Sequence, residues 1–229
     1  MIYITGDIHG DRKRLSWLKL RNLKEGDTLI ICGDFGFLWD NSTAEQNYLM
    51  SLGKRKYNIC FIDGTHENFD LINNYEISQW NGGKVHKIHG NLYHLMRGQV
   101  YEIEGRKVFT MGGGESADID IRRDVNAWSK DELPTQEELL EGAENLEIAG
   151  YDMDIIITHE PPLKVKNFLN LNDQSEFRVS ALNAYFEELA QNCSFRKWYF
   201  GSLHVDKYIS TNYRAIFKDV INATTGEKI

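Results

Sequence analysis

Short apolar runs alternate with amphipathic segments along most of the chain. The apolar runs predict β-strands at residues 1–4, 28–32, 57–62, 154–158 and 198–200. Apolar side chains at helical spacing predict helices that begin near residues 11, 42 and 135, and a fourth helix over residues 175–191. Because strands and helices alternate, we expect a sheet with parallel strands that is covered by helices.

Some of the predicted helices have a clear start or a clear apolar face. Ser42 and Glu45 have the spacing of a capping box, as do Thr135 and Glu138. The helix after Thr135 is expected to bury one face, which contains Leu139, Leu140, Ala143 and Leu146. The helix near residue 11 is expected to bury Leu15, Trp17, Leu18, Leu20 and Leu23.

The middle of the chain has a different pattern. Residues 100–103 and 107–110 are strand-like and flank Glu104-Gly105-Arg106, which predicts a hairpin. Three glycines at residues 112–114 then introduce a long polar stretch to Pro134, which is typical of a functional or mobile loop. No internal repeat or linker interrupts the pattern, so we expect one domain over residues 1–229.

Composition narrows the class of protein. The chain has 229 residues, of which 41% are hydrophobic and 26% charged, as in ordinary soluble globular proteins. A net charge of −8 without a Lys/Arg-rich stripe gives no strong nucleic-acid signal. No apolar run approaches the roughly 18 residues of a membrane span. The chain opens on a strand-like run, and its odd cysteines (Cys32, Cys60 and Cys193) suit a reducing compartment, so we expect a cytoplasmic protein.

Five predicted strands are followed by a short segment that carries Asp or His. These segments are Gly6-Asp7-Ile8-His9, Gly33-Asp34, Gly64-Thr65-His66-Glu67, Thr158-His159 and Gly201-Ser202-Leu203-His204. Ligands of open α/β sheets bind beyond the carboxyl ends of the strands. Mixed Asp and His ligation suits divalent transition metals. The sequence therefore predicts a site for a divalent ion such as Mn, Fe, Zn, Ni or Co.

In their order along the chain, these segments resemble the five motifs of the calcineurin-like metallophosphoesterases. The motifs run from residue 6 to residue 204, so the resemblance covers nearly the whole chain. It implies a four-layer αββα sandwich of two mixed β-sheets flanked by helices. It also implies an enzyme that hydrolyses phosphate mono- or diesters, of a phosphorylated small molecule or a nucleotide-type substrate, by attack of a metal-bound hydroxide.

The resemblance also implies roles for individual residues. The first metal ion would be held by Asp7, His9 and His204, with Asp34 as the bridging ligand. The second ion would be held by Asp34, Thr65, His159 and Ser202. His66 would stand near the scissile phosphate, as the acid for the leaving group or as a stabiliser of charge.

Two positions depart from the family pattern, and both belong to the second metal ion. Thr65 stands where the family has Asn, and Ser202 stands where it has His. A neutral hydroxyl is a weak ligand for borderline cations. We therefore expect one firmly held ion, a second site that is weak, empty or filled by hydrated Mg or Mn, and reduced activity. The alternative function is a catalytically impaired scaffold or interaction module, although an intact His66 favours the enzyme.

Other features near the motifs leave several roles open. The segment after Asp34 lacks the Asp-Arg-Gly run of related protein phosphatases, which argues against that activity. Arg122 and Arg123 are candidate contacts for a substrate phosphate, with ion pairs to neighbouring aspartates as the alternative. Asp63 could orient backbone or a ligand histidine, or form a turn, and Asn68 is expected to cap the helix that follows it.

Five further residues lie close to the motifs in the sequence. His86, His89 and His94 could include a replacement for the missing ligand, but we expect half-exposed positions in strands or loops. Glu67 and Glu160 adjoin His66 and His159 and are candidate hydrogen-bond partners of the ligand histidines.

Overall fold

Two mixed β-sheets lie face to face at the centre of the molecule. They are seen in a computed structural model, in which residues 1–16, 18–116, 119–124, 128–170 and 179–229 are described. The first sheet has seven strands: β1 (Ile2–Thr5), β2 (Thr28–Ile31), β3 (Asn58–Phe61), β4 (Ile77–Trp80), β5 (Gly83–His89), β6 (Leu92–Leu95) and β13 (Ile221–Asn222). The second has six: β7 (Gln99–Ile103), β8 (Arg106–Met111), β9 (Asp152–Thr158), β10 (Ser194–Phe200), β11 (Lys207–Tyr208) and β12 (Tyr213–Ala215).

Parallel strands occupy the middle of each sheet. The first sheet has the order β13-β1-β2-β3-β6-β5-β4, in which β1, β2, β3 and β6 are parallel. The second has the order β11-β12-β10-β9-β8-β7, in which β8, β9, β10 and β12 are parallel. The carboxyl ends of β1, β2 and β3 therefore lie along one side of the first sheet, and those of β9 and β10 along one side of the second.

Helices cover the outer faces of the sheets. The α-helices of the described residues are α1 (Arg12–Leu15), α2 (Thr43–Gly53), α3 (Phe69–Asn73), α4 (Ile119–Asp124), α5 (Gln136–Ile148), α6 (Leu163–Asn170) and α7 (Ala181–Asn192). Short 3₁₀ helices occur at Leu18–Asn22 and Lys130–Glu132. In the described part of the chain, no helix has the length and apolar character that crossing a bilayer requires.

The alternation of side chains along the strands explains the layers. Ile4 of β1 lies in the apolar cluster between the two sheets, whereas its neighbour Tyr3 lies in the outer cluster that includes Leu49 of α2. On the outer face of the second sheet, the ring of Trp198 lies 5.9 Å from that of Phe186 on α7. The layers are therefore helices, sheet, sheet and helices, which confirms the predicted αββα sandwich.

Most of the predicted elements are confirmed, with shifted ends. The predicted strands correspond to β1, β2, β3, β9 and β10. β7 and β8 form the predicted hairpin, and its turn is Glu104-Gly105, both with positive φ (54° and 67°), as a two-residue turn between twisted strands requires. The polar stretch after residue 114 contains α4 and a 3₁₀ turn among its described residues. The fourth predicted helix is present as α7, and its proposed start at residue 175 lies outside the described residues.

The prediction of a longer helix near residue 11 is wrong. Asp11 caps α1, but the helix ends at Leu15 because the backbone N–H of Ser16 bonds to Lys13 O, and the Ser16 hydroxyl bonds to the same carbonyl. Such side-chain bonds compete with the helix. A 3₁₀ helix then brings inward Leu20, which is buried with Leu15 and Leu23 as predicted. Trp17 lies outside the described residues.

The predicted apolar face of α5 is wrong in one position. The capping box of Thr135 and Glu138 is present. Leu146 is buried, but Leu140 is 61% exposed. The reason is Gly142, which is buried and packs closely on the backbone of Gly98. A Cβ added to Gly142 would lie only 3.1 Å from the Cα of Gly98. The inward face is therefore centred on residues 142 and 146.

We expect Leu146→Ala to lower the free energy of unfolding by about 2–5 kcal/mol, because it leaves a cavity beneath α5. Leu140→Ala is the matched control on the same helix and should change the free energy by about 0.5 kcal/mol or less. Urea denaturation measures both values. Equal losses in the two variants would contradict the helix orientation described above.

Candidate metal centre

The loops that follow the parallel strands meet where the two sheets come together. Asp7 and His9 follow β1, Asp34 follows β2, and His204 follows β10. The loops bond directly to each other, since the His9 N–H donates to Asp34 O at 2.8 Å. Residues that are far apart in the sequence therefore lie beside one another.

Four side chains form a group that could hold one cation. Asp7, His9, Asp34 and His204 each offer a ligand atom, and these atoms all lie within 4.8 Å of one another. His204 Nε2 is 3.0 Å from Asp7 Oδ2, and His9 Nε2 is 3.7 Å from Asp34 Oδ2. Both carboxylates are buried, whereas both imidazoles are exposed to solvent. The carboxylate side of the group is therefore buried and negatively charged, and the imidazole side is open to solvent.

The chemistry of this group fits a divalent cation. Among the described residues, neither carboxylate oxygen of buried Asp7 accepts a hydrogen bond, although His204 Nε2 lies close by. A buried carboxylate without a partner is costly. His9 Nε2 and His204 Nε2 also face each other at 3.0 Å. Two carboxylates with two imidazoles are a donor set that divalent transition metals bind.

The backbone is strained at three of the four residues. His9, Asp34 and His204 have φ values of 49°, 42° and 51°, in the left-handed region that side chains disfavour. Such conformations persist only where the surroundings enforce them, and they cluster at functional sites. The strain therefore supports a functional role for this group.

Two glycines allow the side chains to approach so closely. A Cβ on Gly201 would overlap Asp7 Oδ1, and a Cβ on Gly64 would overlap Asp34 Oδ1. Any other residue would push a carboxylate out of the group. The glycines of the sequence segments are therefore required by close approach of the backbone to these carboxylates.

His66 lies beside this group. Its N–H donates to Asp34 Oδ1 at 2.8 Å, and its Nδ1 lies 3.2 Å from Asp34 Oδ2 and 2.9 Å from Thr65 Oγ1. The ring centroid is 5.9 Å from that of His9. These contacts fix the ring with Nδ1 toward the carboxylate and Nε2 on the opposite side.

His159 is also close, but it is not one of the four. Its buried Nδ1 lies 3.1 Å from Cys32 O and 3.7 Å from Asp7 Oδ1. Burial lowers the pKa of His159, but the negative charges of Asp34 and Asp7 outweigh burial and raise it to about 9. Burial raises the pKa of Asp34, yet the charge of His159 and the hydrogen bonds from His66 hold it well below its usual range.

The remaining predicted site residues have different surroundings. Among the described residues, the Ser202 hydroxyl is buried without a hydrogen-bond partner. Arg122 donates to Thr65 O at 3.2 Å and pairs with Glu132 at 2.6 Å. The guanidinium of Arg123 lies 4.2 Å from the centre of the Trp128 ring.

Glu67 and Glu160 do not bond to the histidines beside them, which corrects that expectation. Glu67 accepts the N–H of Phe35 at 2.6 Å and so holds the loop of Asp34, while burial and the charge of Asp34 raise its pKa well above its usual value. Glu160 pairs with buried Lys166. In both cases the carboxylate supports a loop, and no local pattern in the sequence indicates its partner.

His86 and His94 are buried, not half-exposed as expected. They contact each other, and His94 also contacts Asp63. Neither belongs to the group of four, and His94 bonds to Asp63 and His86 instead of replacing the ligand expected at the second site. Asn68 caps α3 as predicted. Sequence reasoning missed Arg14, which is buried and donates to Asp7 O at 2.5 Å. Its only signal was a charged residue beside Leu15 on an apolar face.

Comparison with known proteins adds a family match. The family model described as calcineurin-like phosphoesterase matches residues 1–213, a span that includes all the side chains of the candidate centre. A search of curated proteins finds no match to the chain.

We expect a divalent cation such as Mn²⁺ to stabilise the wild-type chain, by about 2.7 kcal/mol at one hundred times its dissociation constant. Asp7→Asn should lose most of this increase, because it removes a buried ligand charge. Asp27 is the matched control: it is also buried but is bonded to the Met1 ammonium at 2.6 Å. Asp27→Asn should be less stable yet keep the full increase.

Thermal unfolding with and without the cation measures both effects. If the cation stabilises Asp7→Asn as much as the wild-type chain, Asp7 is not a ligand of the cation.

Proposed function

The chain belongs to the calcineurin-like phosphoesterase family, and on this premise we propose that it hydrolyses phosphate mono- or diesters of small molecules or nucleotides. The observation that carries the proposal is the group of Asp7, His9, Asp34 and His204, with ligand atoms within 4.8 Å of one another. The family implies metal-dependent hydrolysis of phosphoesters in general. The choice of substrate and the roles of single residues are our proposal.

Asp7, His9, Asp34 and His204 would hold one divalent cation. A cation held there would lower the pKa of a bound water and would neutralise charge on the phosphoryl oxygens. The two buried carboxylates supply the charge that attracts the cation, and the exposed histidines leave the open side for a substrate. The preference for Mn, Fe, Zn, Ni or Co follows from the mixed nitrogen and oxygen donors.

His66 is our candidate for the acid that protonates the leaving group. Its Nδ1 is directed at Asp34 and Thr65, and its side chain is 40% exposed. A proton on the opposite nitrogen would therefore face outward, where a leaving oxygen could receive it or its charge could stabilise the phosphoryl group.

A second cation would find poorer donors. The Thr65 hydroxyl is already 2.9 Å from His66 Nδ1, and Ser202 offers a neutral hydroxyl where the family has imidazole. His159 keeps Nε2 for a cation, because its Nδ1 lies 3.1 Å from Cys32 O, so the weakness of the second site rests on Thr65 and Ser202. We therefore propose that the second site binds weakly and that hydrolysis depends mainly on the first site.

Arg122 and Arg123 remain our candidates for contact with the substrate phosphate. The pairing of Arg122 with buried Glu132 and with Thr65 O limits how far it could move toward a substrate. Arg123 lies on the face of Trp128, which leaves the edge of its guanidinium for bidentate binding of phosphate.

We expect the purified chain to hydrolyse an aryl phosphodiester or monoester when Mn, Ni or Zn is supplied. His66→Ala should lower kcat about 10²–10⁴-fold, as loss of a general acid does, while metal content is unchanged. His89→Gln is the control, a histidine of β5 outside the site. Initial rates of nitrophenol release measure activity.

No turnover with any metal in a folded, metal-loaded chain would contradict the enzyme and favour the scaffold.

Restoring the family residues should strengthen the second site. We expect Thr65→Asn with Ser202→His to raise metal content from one ion per chain to two. The rate should rise about tenfold or more, because a second ion clamps the attacking and leaving oxygens. Ser202→Ala is the matched control and should keep one ion. Two tightly held ions per wild-type chain would refute a weak second site.

A further inference from the structure

A buried hydrogen-bonded chain lies next to the candidate centre but is not part of it. It begins at Asp63, which ends the strand segment before Thr65 and His66. Asp63 Oδ1 is 3.1 Å from His94 Nε2, and His94 Nδ1 is 3.0 Å from His86 Nδ1. Asp63 Oδ2 accepts from Arg97 Nε at 2.9 Å and from Nη2 at 2.6 Å. All four side chains are buried.

The geometry assigns the protons of both histidines. Arg97 donates from both Nε and Nη2 to Asp63 Oδ2, and a guanidinium cannot accept, so the Asp63 carboxylate in this ion pair acts as the acceptor. His94 Nε2 therefore carries hydrogen, and in a neutral His94 ring this leaves Nδ1 to accept from His86 Nδ1–H. The two rings lie within 7° of coplanar with centroids 5.3 Å apart, as an in-line hydrogen bond requires.

Hydrogen bonds, more than close packing, hold this chain in place. A surface pocket of about 160 Å³ lies against Asp63, His86, His94 and Arg97, so these side chains have fewer packing neighbours on the side of the pocket. Burial and the neighbouring His94 lower the pKa of His86 to about 4, so His86 is neutral and keeps its role as a donor to His94.

Asp63 also fixes the loop of His66 through its own backbone. Asp63 O accepts the N–H of Gly113 at 3.0 Å, so residue 63 is held by both its side chain and its main chain. Gly64 then packs against the Asp34 carboxylate, and the His66 N–H reaches Asp34 Oδ1 at 2.8 Å. A shift of Asp63 would therefore move Thr65 and His66 relative to Asp34.

We propose that Asp63 is a positioning residue for His66, and that His86 fixes the tautomer of His94 on which the position of Asp63 depends. The kinetic part of this inference rests on the proposed function. The structural part does not, because it concerns the hydrogen bond between His66 and Asp34 and the tautomers of two histidines.

Asp63→Asn is the first test, since it keeps the size of the side chain and removes its charge. Hydrogen exchange should speed up about tenfold or more at the His66 amide, relative to the amide of Ile59 at the far end of β3. Ile59 donates to Asn91 O and reports the stability of the sheet. With a phosphoester substrate, kcat should fall about tenfold or more while KM changes less than about twofold.

Equal acceleration at His66 and Ile59 would mean a merely structural role and would overturn the proposal. Unchanged exchange and kcat would overturn it as well. If the wild-type chain hydrolyses no phosphoester, the proposed function fails, but exchange at His66 still decides whether Asp63 positions the loop.

The second test reads the tautomers directly by nitrogen-15 NMR of the imidazole rings. We expect His94 to carry hydrogen on Nε2 and His86 on Nδ1. His86→Ala should change the Nδ1 signal of His94, because Nδ1 loses its hydrogen-bond partner, and should speed up exchange at His66. His89→Gln, on the same strand, should do neither. The opposite tautomers in the wild-type chain, or no effect of His86→Ala at His66, would refute the role of His86.

Discussion

Two buried carboxylates, Asp7 and Asp34, impose the main constraint on this molecule. Their ligand atoms lie within 4.8 Å of each other, where like charges repel strongly in a dry environment. His159 and His66 balance Asp34, but among the described residues no donor bonds to the oxygens of Asp7. A cation is the natural partner for such an arrangement, and the exposed His9 and His204 complete its donor set.

The surrounding loops hold this arrangement from outside. Arg14 donates to the carbonyl of Asp7, and Glu67 accepts backbone N–H groups from the loop of Asp34. These bonds fix the backbone where His9, Asp34 and His204 adopt left-handed conformations. Strain of this kind costs about 1–3 kcal/mol at each residue and needs such support. The strained loop conformations therefore lower the stability of the fold, and they hold the charged groups in a fixed geometry.

The centre is asymmetric in its chemistry. Asp7, His9, Asp34 and His204 offer carboxylate charge and imidazole nitrogen, whereas the residues that we propose for a second site, Thr65 and Ser202, carry neutral hydroxyls. Thr65 bonds to His66, so its hydroxyl orients a neighbour. The position of the loop after β3, which carries Thr65 and His66, therefore depends on two sets of hydrogen bonds. One set joins the loop to Asp34, and the other joins Asp63, His94 and His86.

Local patterns in the sequence predicted β1, β2, β3, β7, β8, β9 and β10, the N-cap Ser42 of α2 and the capping box of α5, because periodicity and capping are local features. The αββα layers and the four residues of the group were predicted through the resemblance of five ordered segments to a known family. Only the tertiary structure decided which partners the buried polar groups have. Glu67, Glu160 and the pair His86 and His94 bond to residues that packing brings to them. Leu140 is exposed for the same reason, because Gly142 sets how α5 lies on the sheet. Such contacts depend on how distant elements pack, which no local pattern encodes.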